Sequence, residues 1–244
     1  MFFFAPFVTL PLYYMVAIYV LAAVLPAIFL MRYVYRQDTI EKEPAWLLRS
    51  LVGMGILAAL ASIVLEWIGQ SILDVTVDES DPRYLYILAF LVVAVIEEGT
   101  KFFFLYRRTW NDPNFNYRFD GIVYAVFVSL GFAAFENVKY VFSYGLSVAL
   151  PRAILAVPGH MGFAVFMGVF YGRARLQADL GNKAGAVANL VIGYLMAVLL
   201  HGFYDSCCMV GTNQSTAIFV VFVIVMYLVV FRLIRHESRT NAPV

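Results

Sequence analysis

The sequence predicts an all-α fold: a polytopic membrane helix bundle of about seven transmembrane helices, N-terminus outside and C-terminus in the cytoplasm. Three observations carry that prediction. The 244 residues are 63% hydrophobic and only 14% charged, far too apolar for a soluble domain. Stretches long enough to cross a bilayer recur at roughly 7–31, 46–73, 85–106, 119–142, 152–172, 185–207 and 214–234. Lysine and arginine fall in alternate loops, thirteen on one side against Arg83 and Arg152 on the other. The basic side reads as cytoplasmic. Its members are Arg32, Arg36, Lys42 and Arg49, then Arg107, Arg108 and Arg118, then Arg173, Arg175 and Lys183, then Arg232, Arg235 and Arg239.

The connecting loops are short, so residues 1–244 read as a single integral membrane domain. The first apolar run lacks a basic leader and is too long for a signal-peptide core. The net charge of +1 gives no reason to expect nucleic acid. Asp74, Asp78, Glu79 and Asp81 read as a solvated outer loop, and the adjacent Cys207 and Cys208 as packing residues. Gly168 and Gly172, and also Gly53 and Gly55, are spaced for close helix approach. Asp120 reads as the N-cap of the fourth span.

The third span poses the chemical question. In "LVVAVIEEGTKFFFLYRR", Glu97, Glu98 and Lys101 interrupt an apolar run. A charge at mid-bilayer costs roughly 2.5–3.5 kcal/mol, so such residues are paired inside the bundle and default to function. Lys101 shares a helix face with both glutamates. Adjacent glutamates point about 100° apart, so one works in a pocket while the other pairs with Lys101 or a backbone N–H. Glu66 has no evident mate.

Three further spans add polar groups. "LGFAAFENVKYVF" brings Glu136 and Asn137, with Lys139 spaced to pair with Glu136 or to snorkel outward. "AVPGHMGFAVFMG" brings His160, with Pro158 and Gly159 expected to loosen the helix before it. "LLHGFYD" places His201 and Asp205 one turn apart, where a carboxylate orients an imidazole or both bind a metal. By helix rise, Glu136, His160 and His201 share a layer about 9–12 Å below the outer surface, with Glu97 and Glu98 deeper. Two imidazoles and a carboxylate form a catalytic zinc ligand set. A glutamate beside metal-bound water is then a general base. Without metal, a desolvated glutamate activates water and the histidines hold the oxyanion. Both schemes are hydrolytic. HExxH and GxSxG are absent, which removes zincin and serine-elbow chemistry.

Glu97-Glu98-x-x-Lys101, Phe135-Glu136-Asn137, His160 and His201, in that order, resemble the PrsW family of intramembrane proteases. "RFDGIVYAVFVSLGFAAFENVKY" and the loop "DTIEKEP" are similar to that family too, and the likeness runs from about residue 30 to 208. The family is similar in turn to the CAAX-protease and bacteriocin-processing superfamily, whose last element His201-x-x-x-Asp205 fits. Ala156 stands where that superfamily's Phe-x-x-x-His has phenylalanine, and Lys101 replaces its arginine at a shifted offset. The departure at Ala156 favours the PrsW branch over prenyl-protein processing. The resemblance implies an intramembrane endopeptidase of a bacterial plasma membrane. Its substrate would be a membrane protein such as an anti-sigma factor, cut on the extracytoplasmic side in stress signalling. It implies catalytic roles for Glu97, Glu98, Lys101, Asn137 and Asp205, and Zn2+ on Glu136, His160 and His201. A proton-coupled transporter and a non-catalytic membrane-peptide-binding protein are the alternative classes.

Overall fold

In the computed structural model, residues 5–244 have a described backbone and residues 12–244 described side chains. Among the described residues seven helical rods make up the bundle: α1 (Ala5–Gln37), α2 (Ala45–Thr76), a composite third rod, α5 (Asp120–Tyr144), a broken fifth rod, α8 (Lys183–Val210) and α9 (Asn213–Arg239). The third rod joins α3 (Tyr84–Ile87), a π-helical segment (Leu88–Ala94) and α4 (Val95–Thr109). The fifth joins a short 3-10 turn, α6 (Ala149–Ile154) and α7 (Ala156–Asp179). Six rods are long and apolar enough to cross a membrane; the third is not, because charges crowd α4.

Two features of the sequence act differently from expectation. Asp120 opens α5 but caps nothing ahead of it; its Oδ2 accepts from the N–H groups of Asn116 and Tyr117 at 3.1 and 2.7 Å, closing the loop behind. The break in the fifth rod falls at Leu155, ahead of Pro158, which sits in the first turn of α7. There its missing N–H has no intrahelical partner to lose.

α5 is the axis of the bundle: 16 of its 25 residues are buried, and α1, α2 and α7 pack around it. Two glycine contacts make this possible. A Cβ on Gly172 would lie 2.1 Å from the Arg118 carbonyl oxygen, and one on Gly168 2.6 Å from Ile122 Cα. On α2, Gly55 meets α5 backbone, whereas Gly53 faces open space and is not part of the contact. On the other side α8 packs on the π segment, with a Cβ on Gly202 overlapping the Phe90 ring at 2.3 Å. That contact seats the α8 backbone beside His201.

Gly172→Ala pushes α7 off α5 and is expected to cost roughly 1–3 kcal/mol in thermal unfolding of the detergent-solubilised protein. Gly53→Ala, with nothing within 4 Å of the added carbon, is expected to be neutral or slightly stabilising.

Candidate active site

The polar residues of four rods converge on Lys101, which is 2% exposed. Its ammonium donates to Glu97 Oε2 at 3.0 Å and Glu98 Oε1 at 2.8 Å, both on its own helix. It also lies 3.2 Å from His160 Nδ1 on α7 and 4.0 Å above the Phe132 ring on α5. One cation therefore pairs with both glutamates, not one. The glutamates are not deeper than the histidines, as a uniform α rise suggested: Glu98 Oε1 is 2.8 Å from His201 Nδ1. The π segment before α4 has a wider ring and advances less per residue, so it draws Glu97 and Glu98 toward the rod's start.

His160 Nε2 lies 3.0 Å from Glu136 Oε2. With Lys101 a donor, Nδ1 of His160 accepts and Nε2 carries the proton given to Glu136: a neutral imidazole with both nitrogens occupied. Ser129 Oγ donates to the His160 carbonyl at 3.0 Å. His201 is different. Nδ1 faces Glu98, while Nε2 faces Asp205 Oδ2 at 3.3 Å and Glu97 Oε2 at 3.9 Å. Its ring stacks on Phe163 at 4.8 Å, with the His160 ring 5.5 Å away.

A cavity of about 460 Å³ opens beside this network. Glu97, Glu136, His160, His201 and Asp205 line it, with Glu66 and the exposed Lys139 near its edge. Glu98 and Lys101 sit behind that wall. Asn137 is off it as well: its amide donates to the Ala23 carbonyl at 2.7 Å and accepts from Arg152 Nε at 2.8 Å, tying α1 to α5. Lys139 does not pair with Glu136. Arg152 does, at 2.8 Å, with its guanidinium 3.8 Å from the Tyr140 ring centre. Arg152 reads from sequence as a loop charge; sixteen residues and a helix break separate it from Glu136, so no spacing rule links them.

Charge decides what the site accepts. Glu97, Glu98, Glu136 and Asp205 meet two fixed cations, Lys101 and Arg152, leaving two negative charges in excess. Two protons or one divalent cation would balance them. Among the described residues one set of donors is compact enough for a metal, Glu97, Glu98 and His201, all within 4.8 Å of one another. Glu98 Oε2 is buried without a hydrogen-bond partner. The carboxylate–imidazole chemistry and the orphaned oxygen both fit a metal ion. This trio shares His201 with the set expected from sequence; Glu136 and His160 pair with each other at the cavity wall.

Comparison with known proteins identifies the family. The model of the PrsW family of intramembrane metalloproteases matches residues 43–233. Protease PrsW of Oceanobacillus iheyensis is 32% identical over 220 residues, 90% of this chain and 96% of that protein. The proteins of the same name from Clostridioides difficile and Bacillus subtilis are 29% and 30% identical over 85% and 75% of this chain, covering 86% and 79% of their own lengths. No solved structure matches. A helical membrane bundle with an open cavity lined by carboxylates and imidazoles suits an intramembrane hydrolase. The chain belongs to the PrsW family of intramembrane metalloproteases. It is an integral membrane protease, and its substrates are membrane proteins.

Removing the hub charge leaves two buried carboxylates uncompensated. Lys101→Met is expected to lose about 3–5 kcal/mol of stability in denaturant unfolding. Adding Glu97→Gln and Glu98→Gln is expected to recover part of that loss.

Proposed function

We propose that this protease cleaves a peptide bond near the outer face of a bacterial plasma membrane, in an anti-sigma-factor-like substrate, using water activated in the Glu97–Glu136–His201 cavity. The observation that carries this reading is the cavity itself: carboxylates and imidazoles from four rods line a space large enough for water and an extended peptide segment. The outside assignment rests on the thirteen lysines and arginines at the opposite ends of the helices.

Zinc is the metal that suits the donors, and Glu97, Glu98 and His201 would hold it. When bound it supplies a Lewis acid that polarises a carbonyl and lowers the pKa of water. The remaining roles follow from free atoms and fixed ones. Glu136 Oε2 is held by Arg152 and His160, which leaves Oε1 of this cavity-lining residue to take the proton of the attacking water and return it to the leaving amine. His160 orients Glu136 and is itself oriented by Lys101. Asp205 holds His201 from the side opposite Glu98. Asn137 positions Arg152.

The test is cleavage of a membrane-peptide substrate in proteoliposomes, with metal content measured on the same samples. Glu97→Gln, Glu136→Gln and His201→Ala are each expected to lower turnover at least about 100-fold. Only Glu97→Gln, Glu98→Gln and His201→Ala are expected to lose metal. Loss of metal in His160→Ala or Glu136→Gln would return the ligand set to Glu136, His160 and His201. Wild-type turnover in both Glu97→Gln and Glu136→Gln would end the reading.

A further inference from the structure

The opposite pole of the bundle holds buried acids that the catalytic reading does not use. Asp38 and Glu43 come from the loop between α1 and α2, the "DTIEKEP" stretch, and are 0% and 6% exposed. Among the described residues seven buried side-chain polar atoms lack a hydrogen-bond partner, and six belong to this end: both oxygens of Asp38, Glu43 Oε2, Arg118 Nε and the hydroxyls of Tyr33 and Tyr124. The seventh is Glu98 Oε2 in the active site. Orphaned oxygens thus occur where a metal is inferred and, more densely, here.

The nearby groups do not resolve the charge. Lys42 donates to the backbone carbonyls of Tyr35 and Asp38, not to a carboxylate. Arg118 donates through its Nη2 to the Thr240 carbonyl at 2.5 Å. Arg108 is engaged with Asp112 at 2.7 Å. Asp120 is satisfied by two backbone N–H groups. The Tyr124 hydroxyl lies beside Glu43 without reaching hydrogen-bond geometry. Burial first, then the Asp120 carboxylate, pushes the Glu43 carboxyl up to about 8, and burial lifts Asp38 to about 6 against the pull of Lys42. Water can satisfy such oxygens but cannot neutralise them.

We propose that this pole carries a second cation site, separate from the catalytic cavity, in which Asp38 and Glu43, with the Tyr124 hydroxyl, take Mg2+. Buried, unpartnered carboxylate oxygens suit this ion, which binds through one or two carboxylates and keeps several waters. Bound there, it ties the α1–α2 loop to the start of α5. The C-terminal segment closes over the same region: Arg118 N–H donates to the Ala242 carbonyl at 3.0 Å, Val244 N–H to the Asn116 carbonyl at 3.0 Å, and Ser238 Oγ to the Gln37 carbonyl at 2.5 Å. The site therefore joins three segments distant in sequence at the pole opposite the cavity.

The experiment is thermal unfolding of the EDTA-treated full chain in detergent, titrated with Mg2+ and separately with Ca2+. Wild type, Glu98→Gln, Asp38→Asn with Glu43→Gln, and Tyr124→Phe are compared. Mg2+ is expected to raise the Tm of wild type and of Glu98→Gln by roughly 2–4 °C near saturation, and to leave the double variant unmoved. Tyr124→Phe, which removes one oxygen and no charge, is expected to shift the Mg2+ midpoint upward a few-fold. An equal Mg2+ response in the double variant overturns the site. So does a wild type that ignores Mg2+, whether or not it responds to Ca2+. Should the double variant not fold, an unchanged midpoint in Tyr124→Phe overturns it alone.

Discussion

Everything at the centre of this protein depends on one buried ammonium. Lys101 pairs with Glu97 and Glu98 on its own helix and reaches His160 on another, with Phe132 beneath it. In a low-dielectric interior the carboxylates would be prohibitively costly alone. The lysine makes them tolerable, and it also dictates which nitrogen of His160 carries a proton. From that tautomer follows the hold on Glu136, and from Glu136 the place of Arg152. A structural ion pair and a chemical site are here the same set of atoms.

The hub requires helices to approach closely, and the chain provides for this with absent side chains. Gly168 and Gly172 let α7 touch α5, which brings His160 to the lysine; Gly202 lets α8 accept Phe90, which brings His201 to Glu98. Between lipid-soaked helices there is little hydrophobic drive to association, so close packing and buried polar contacts bind the bundle. The π segment adds a further adjustment, bringing Glu97 and Glu98 to the level of the histidines.

The two poles contrast in how their charge is managed. Around the cavity, acids exceed fixed bases by two, an excess that protons or a divalent cation would balance. At the far pole acids are buried beside loops, with Lys42 and Arg118 committed to backbone carbonyls and Arg108 to Asp112. At both poles buried carboxylate oxygens lack a protein hydrogen-bond partner.

The sequence by itself determined the bundle, its spans, and most of the residues that meet in it. Apolar length is a local property, and a charged residue in such a run announces itself without a structure. Hence Glu97, Glu98, Lys101, Glu136, His160, His201 and Asp205 were all legible, as was the family they resemble. Only the tertiary structure decided who faces whom. It set Glu97 on the cavity wall and Glu98 behind it, gave His160 to Glu136 and His201 to Glu98, turned Asn137 toward α1, and recruited Arg152. Those choices depend on helix rotation and on where a rod departs from α geometry. Both come from packing between segments far apart in the chain, so periodicity within one span does not encode them.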